Sequence, residues 1–88
     1  MTFEGAIIKE QGVTFAVITV WKAVLSVKSK ADELLASAQR HIFPGIPVVL
    51  MAQDAHGTPT YYGRSDIVRF MASVPLAAVP WRKYTLPA

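Results

Sequence analysis

The hydrophobic pattern opens with two apolar runs that predict a β-hairpin. Residues 3–9 and 13–21 are separated by Glu10-Gln11-Gly12. The second run is dense in β-branched and aromatic residues, which favour strands, and Gly12 can supply the positive φ of a tight turn. Because both alternating faces of that run are apolar or hydroxylic, we expect a central strand that is covered on both sides, by this chain or by a partner.

A helical period follows the hairpin. Apolar residues recur at spacings of three and four, which predicts one amphipathic helix. The stripe consists of Ala31, Leu34, Leu35, Ala38 and Ile42. Ser29, three residues before Asp32, resembles a weak capping box, and Pro44-Gly45 ends the helix.

The second half of the chain repeats this order of strands and helix. The apolar run 46–52 predicts a buried strand that Pro47 enters. Turn residues at 54–57 separate it from a short edge strand at 59–62. Ser65 is then placed to cap a second helix that ends before Pro75. The apolar stripe of this helix is Ile67, Phe70, Met71 and Val74.

We therefore predict a single α+β domain over residues 1–88. Its order is β-β-α-β-β-α, in two layers, with the helices on one face of a mainly antiparallel sheet. Residues 75–88 form an extended tail packed on the domain by Trp81 and Tyr84, with a short strand as one option. The sheet face left uncovered would be the natural place for a partner.

The composition points to association. Of the 88 residues, 52% are hydrophobic and only 17% are charged, against about 25% charged in ordinary globular chains. A chain this small buries about 60–65% of its unfolded surface. We therefore expect an exposed apolar interface and, as the simplest assembly, a twofold homodimer. The candidate interface residues are Trp21, Tyr62, Trp81 and Tyr84, since Trp and Tyr are enriched in binding hot spots.

Several function classes are excluded or disfavoured. The chain has no cysteine, which rules out disulfides, thiol catalysis and thiolate metal sites. His41 and His56 do not have a recognised zinc spacing, and no phosphate-binding glycine motif occurs. We expect no cofactor and no metal. Glu4 stands where a signal peptide carries basic charge, and the apolar stretch 13–27 is too short to span a membrane. We expect a soluble, cytoplasmic protein.

One polar cluster offers a hypothesis of catalysis or ligand binding. It contains Asp54, His56, Tyr61, Tyr62, Arg64 and Asp66. A histidine beside a carboxylate can act as a general acid or base, and a tyrosine with an arginine can hold an anion. The favoured interpretation is structural. Asp54 and His56 are ordinary turn residues, and Arg64 and Asp66 flank a helix start. A small hydrolase or ligand-binding domain remains the alternative, and we lean towards no enzyme.

Basic residues suggest a second alternative. The net charge is +3, and the one adjacent basic pair, Arg82-Lys83, lies between Trp81 and Tyr84. This mixture can stack on bases and neutralise phosphates. A nucleic-acid accessory protein would use Arg64, Arg69, Arg82 and Lys83. The favoured interpretation is an anchor in which Trp81 is buried and both cations stay in water.

Two resemblances accompany these patterns. Pro47 at a strand entry, Tyr61-Tyr62-Gly63 and the helix 65–74 make residues 45–74 resemble the second half of thioredoxin-like domains. That resemblance implies an antiparallel hairpin followed by a helix, and no redox activity, because the Cys-x-x-Cys site is absent. The whole chain resembles short bacterial proteins that carry no assigned activity, which implies a bacterial origin. The stretches that resemble them are 3–8, 11–16, 43–50 and 59–64.

Overall fold

A computed structural model describes residues 2–10 and 12–85. Its strands are β1 (Thr2–Glu10), β2 (Val13–Thr19), β3 (Val48–Gln53), β4 (Pro59–Tyr62) and β5 (Arg82–Thr85). Its helices are α1 (Lys22–Leu25), α2 (Lys28–His41) and α3 (Ser65–Met71), with a 3₁₀ turn at Leu76–Ala78. The fold is therefore mixed α+β, as predicted, with a fifth strand in the tail.

The five strands form one sheet in the order β4-β3-β2-β1-β5. β1 and β2 make the predicted antiparallel hairpin, and β3 and β4 make the second one. β2 and β3 pair in parallel because the helical segment between them carries the chain back across the sheet. β5 lies antiparallel on the outer edge of β1, along Thr2 to Gly5.

Helices α2 and α3 pack on opposite faces of the sheet, so the fold has three layers. Alternate residues of β2 and β3 separate into two buried clusters. One cluster contains Phe15, Val17, Val49, Met51, Ile67 and Met71, and lies under α3. The other contains Ala16, Ile18, Val48, Leu50, Ala31 and Ala38, and lies under α2. The prediction of helices on a single face is thus corrected, because the apolar character of both faces of β2 is met by one helix on each side.

The helix starts also differ from the sequence prediction. α2 begins after Val27 without a side-chain cap, which places Ser29 inside the first turn. α3 begins after Arg64, and Ser65 is its first helical residue. The predicted strand to Trp21 ends at Thr19, where its pairing with β3 stops, and the short helix α1 follows.

Gly63 makes the tight connection from β4 to α3 possible. Its φ is +154°, and a Cβ at this position would lie 2.7 Å from a methyl carbon of Val49. A side chain would therefore strain the backbone and push against β3. No helix of the described residues is long and apolar enough to cross a membrane.

Candidate association surface

An open apolar groove lies where β2 ends and β1 begins. It encloses about 450 Å³. The lining residues are Thr2, Phe3, Ile18, Thr19, Val20, Trp21, Val24, Leu34 and Ile42. None of them is charged, and the hydroxyl group of Thr19 already donates a hydrogen bond to the carbonyl oxygen of Glu4 at 2.8 Å. The groove therefore offers apolar surface and little polar chemistry.

The groove is built from four elements. Ile18 at the end of β2 and Phe3 on β1 belong to the cluster on the α2 side of the sheet. Leu34 of α2 and Val24 of α1 line it from the helical layer. The turn from β2 into α1 places Trp21 at the rim, where its carbonyl oxygen accepts a hydrogen bond from the Val24 amide.

Aromatic packing fixes the position of Phe3 in the groove. The Phe3 ring stacks on Tyr84 of β5, with centroids 5.3 Å apart and an interplanar angle of 13°. Tyr84 in turn packs against the Phe43 ring edge-to-face, also at 5.3 Å. This stack ties β5 to β1 and gives the groove a preformed wall, since the aromatic rings hold one another in place.

Trp21 is the most exposed large apolar side chain among the described residues, with 85% of its surface accessible. The two others in this class are Ile7, at 48%, and Val27, at 41%. Isolated exposed apolar residues are ordinary. An exposed tryptophan at the rim of an apolar groove is different, because it extends one continuous apolar patch.

The other three predicted interface residues are held within the fold. Tyr62 donates a hydrogen bond from its hydroxyl group to Asp32 of α2. Trp81 packs in the cluster under α3, and its indole Nε1 donates to the Leu76 carbonyl oxygen at 3.1 Å. Tyr84 stacks on Phe3. Among the four, Trp21 alone projects from the surface.

The polar residues at 54–66 are engaged locally. Asp54 Oδ1 accepts hydrogen bonds from the backbone amides of His56, at 2.8 Å, and Thr58, at 2.9 Å. These bonds close the turn and lower the pKa of Asp54, the Thr58 amide having the larger effect. Arg64 binds both carboxylate oxygens of Asp66, at 2.7 Å each, which lowers the pKa of Asp66 to about 2.

The two tyrosines of the polar cluster face opposite sides of the sheet. Tyr61 packs with the cluster under α3, and Tyr62 with the one under α2. Burial raises the pKa of Tyr61, and the bond to Asp32 raises the pKa of Tyr62. A second cavity, of about 200 Å³, contains Asp66 but no other member of the cluster. The fold therefore does not gather these six side chains around one cavity.

The basic residues do not share one face either. Arg82 and Lys83 are neighbours on β5, so they point to opposite sides of the sheet. Arg64 is paired with Asp66, and Arg69 lies in the last turn of α3, away from β5 in the element order. Within residues 2–10 and 12–85, no three histidine or acidic side chains lie close enough together to hold a metal ion.

No family model, no curated protein and no solved structure matches this chain. The hairpin and helix predicted within residues 45–74 do form, but the helix ends at Met71, so Val74 lies beyond it. The comparisons attach no function to them.

Among the residues that line the groove, sequence reasoning singled out Trp21 as an interface candidate and did not predict the groove itself. The lining residues Phe3, Val24 and Leu34 come from three separate elements, and the available signal was the helical spacing of apolar residues just after Trp21.

Proposed function

We propose that this chain is a protein-association module that forms a homodimer through the groove and Trp21. The observation that carries the proposal is an uncharged apolar groove of about 450 Å³ with a tryptophan standing 85% exposed at its rim. General acid–base catalysis needs a titratable group near the reacting atoms. The lining supplies none, so its chemistry is that of apolar burial.

A second copy of the chain is the occupant that this geometry favours. A twofold interface uses the same patch on both subunits, so the patch must be complementary to itself. Here a projecting side chain and a cavity lie side by side. A twofold axis at the groove rim would place Trp21 of each copy in the groove of the other.

The apolar area that Trp21 can bury is sufficient for a weak dimer. A tryptophan buries about 150–250 Å², which at about 25 cal/mol per Å² corresponds to about 4–6 kcal/mol for each indole. Two indoles are buried in each dimer, against a cost of about 4–15 kcal/mol for lost freedom of motion. The largest gain and the smallest cost leave a net of about 8 kcal/mol, which corresponds to a dissociation constant of about 1 μM, so we expect association at micromolar concentrations or above.

Light scattering across the micromolar range tests this proposal. The wild type should gain mass above the 9.6 kDa of one chain as concentration rises. Trp21→Ala should weaken association through the groove about 1,000-fold, because each dimer loses two hot-spot residues worth about 2 kcal/mol each. Val27→Ala is the matched control, because Val27 is exposed and lies outside the groove lining. It should behave as the wild type.

Val24→Arg provides a second variant that leaves Trp21 intact. Val24 lines the groove from the short helix α1 and is only half-buried, so a long charged side chain should occupy the cavity without unfolding the domain. We expect the same loss as for Trp21→Ala. A wild type that stays at the mass of one chain at every concentration would overturn the proposal, as would a Trp21→Ala protein that associates as strongly as the wild type.

A further inference from the structure

One wall of the groove is a fixed aromatic surface. Phe3 lies on β1, between β5 and β2, and Tyr84 of β5 covers one face of its ring with an interplanar angle of 13°. The other face points away from β5, toward the side of β1 on which residues of β2 line the groove. Phe3 is half-buried, so this second face is accessible to a molecule in the groove, and its orientation is set before anything binds.

The remaining lining is aliphatic and uncharged. Ile18 of β2, Val24 of α1 and Leu34 of α2 contribute branched apolar side chains. No described residue that lines the groove carries a charge, so an ionised ligand would lose hydration there without gaining a partner. A neutral ligand avoids this cost. The volume of about 450 Å³ lies within the range of about 300–1,000 Å³ that is usual for small-molecule clefts.

We infer that the groove binds small, neutral, planar aromatic molecules of the indole class, and that such a ligand dissociates the groove dimer. The free molecule stacks on the open face of Phe3 and extends the stack that Tyr84 begins, which is an arrangement that aromatic rings favour. It takes the position that the proposed dimer gives to the partner's Trp21. The effect on the dimer rests on the proposed function, whereas binding of the ligand to the groove does not.

The competition between ligand and dimer has a defined size. Both grooves must be free of ligand for the dimer to form, so the ligand acts twice. At about ten times its own dissociation constant, the ligand should raise the apparent dissociation constant of the dimer about 100-fold. In light scattering, added indole should return the wild type toward the 9.6 kDa of one chain. An unchanged dimer mass under saturating indole would overturn this effect.

The fluorescence of added indole measures binding in the absence of the dimer. The double variant Trp21→Ala/Trp81→Phe contains no tryptophan and keeps every described lining residue of the groove except Trp21. The emission of indole should shift to the blue and saturate as this protein is added. Equilibrium dialysis of indole against the wild type repeats the measurement with no substitution in the chain.

Val24→Glu and Val27→Glu are a matched pair in the tryptophan-free background. Glutamate at position 24 occupies the groove and places a negative charge near the ring faces, which are themselves negative. The affinity for indole should therefore fall at least about tenfold. Val27 is exposed and lies outside the groove lining, so its variant should bind indole as the parent does. Equal affinities of the two variants would place the ligand outside the groove and overturn the inference.

Matched ligands test the chemical class. Indole-3-carboxylate adds a charge to the same ring system and should bind at least about tenfold more weakly, because the lining offers that charge no partner. Phenol should displace bound indole, whereas cyclohexanol, which has a similar size and one hydroxyl group but no flat ring, should displace it poorly. Equal binding of the carboxylate, or equal displacement by cyclohexanol, would contradict the proposed class.

Failure of the ligand site and failure of the dimer give different results. If indole binds the tryptophan-free variant while the wild type stays at the mass of one chain, the ligand site stands and the groove dimer does not. If the wild type dimerises through Trp21 while indole binds neither protein, the dimer stands and the ligand site does not. Absence of indole binding by both fluorescence and dialysis overturns the inference.

Discussion

At the scale of single residues, two neighbouring tyrosines show how strand alternation decides environment. Tyr62 donates its hydroxyl proton to Asp32 of α2. The hydroxyl group of Tyr61 is buried on the opposite side of the sheet without a partner among the described residues. Because successive side chains of a strand point to opposite faces of the sheet, the sequence was sufficient to predict that Tyr61 and Tyr62 diverge on β4. It could not predict Asp32 as a partner, because that residue lies thirty positions away along the chain.

The two hydroxyl groups should have opposite effects on stability. Tyr61→Phe should raise the free energy of unfolding by about 1 kcal/mol, because a buried hydroxyl group without a hydrogen bond carries a desolvation cost. Tyr62→Phe should lower it, because the bond to Asp32 is lost. Urea denaturation of the two variants compares them directly. The same sign for both substitutions would contradict these assignments.

The contribution of Tyr62 should also depend on pH. Asp32 raises the folded-state pKa of Tyr62 above the ordinary value of 10.0. The stabilisation is therefore complete below pH 10.0 and declines as the pH rises through the higher folded pKa. The difference in unfolding free energy between wild type and Tyr62→Phe should shrink over that range. A difference that stays constant into strong alkali would show that the bond is not the cause.

At the scale of elements, α2 approaches the sheet through small residues. Ala31 and Ala38, two turns apart on one stripe, are both fully buried, in the cluster with Val48 and Leu50. Alanine at these positions lets the helix backbone lie close to the strands. The helical period predicted this stripe correctly, while the starting residue of α2 was misplaced because Ser29 resembled a cap.

Enlarging one of these alanines should disturb the packing of α2. Ala38→Leu inserts bulk between the helix and β3 and should lower the free energy of unfolding by about 1–3 kcal/mol. Ala36→Leu is the matched control on the exposed side of the same helix. It should change the free energy of unfolding by no more than about 0.5 kcal/mol. Thermal or urea unfolding measures both. Equal effects would mean that α2 does not pack on the sheet through Ala38.

At the scale of the whole molecule, the apolar excess lies elsewhere than the sequence suggested. A two-layer fold would have left one sheet face open, but each face carries a helix. Exposed apolar surface remains at the groove with Trp21, at Ile7 on β1 and at Val27 before α2. The composition predicted that apolar side chains would remain exposed. Its location depends on where β5 stops along β1 and where β2 gives way to α1, which no local pattern specifies.

The fluorescence of Trp21 as a function of protein concentration tests the groove dimer most directly. The chain has two tryptophans, so Trp81→Phe leaves Trp21 as the only indole while keeping an aromatic ring at position 81. We predict that its emission is blue-shifted at high concentration, where Trp21 lies in the partner's groove, and moves to the red on dilution. Emission typical of a fully hydrated indole at every concentration would contradict the proposed dimer.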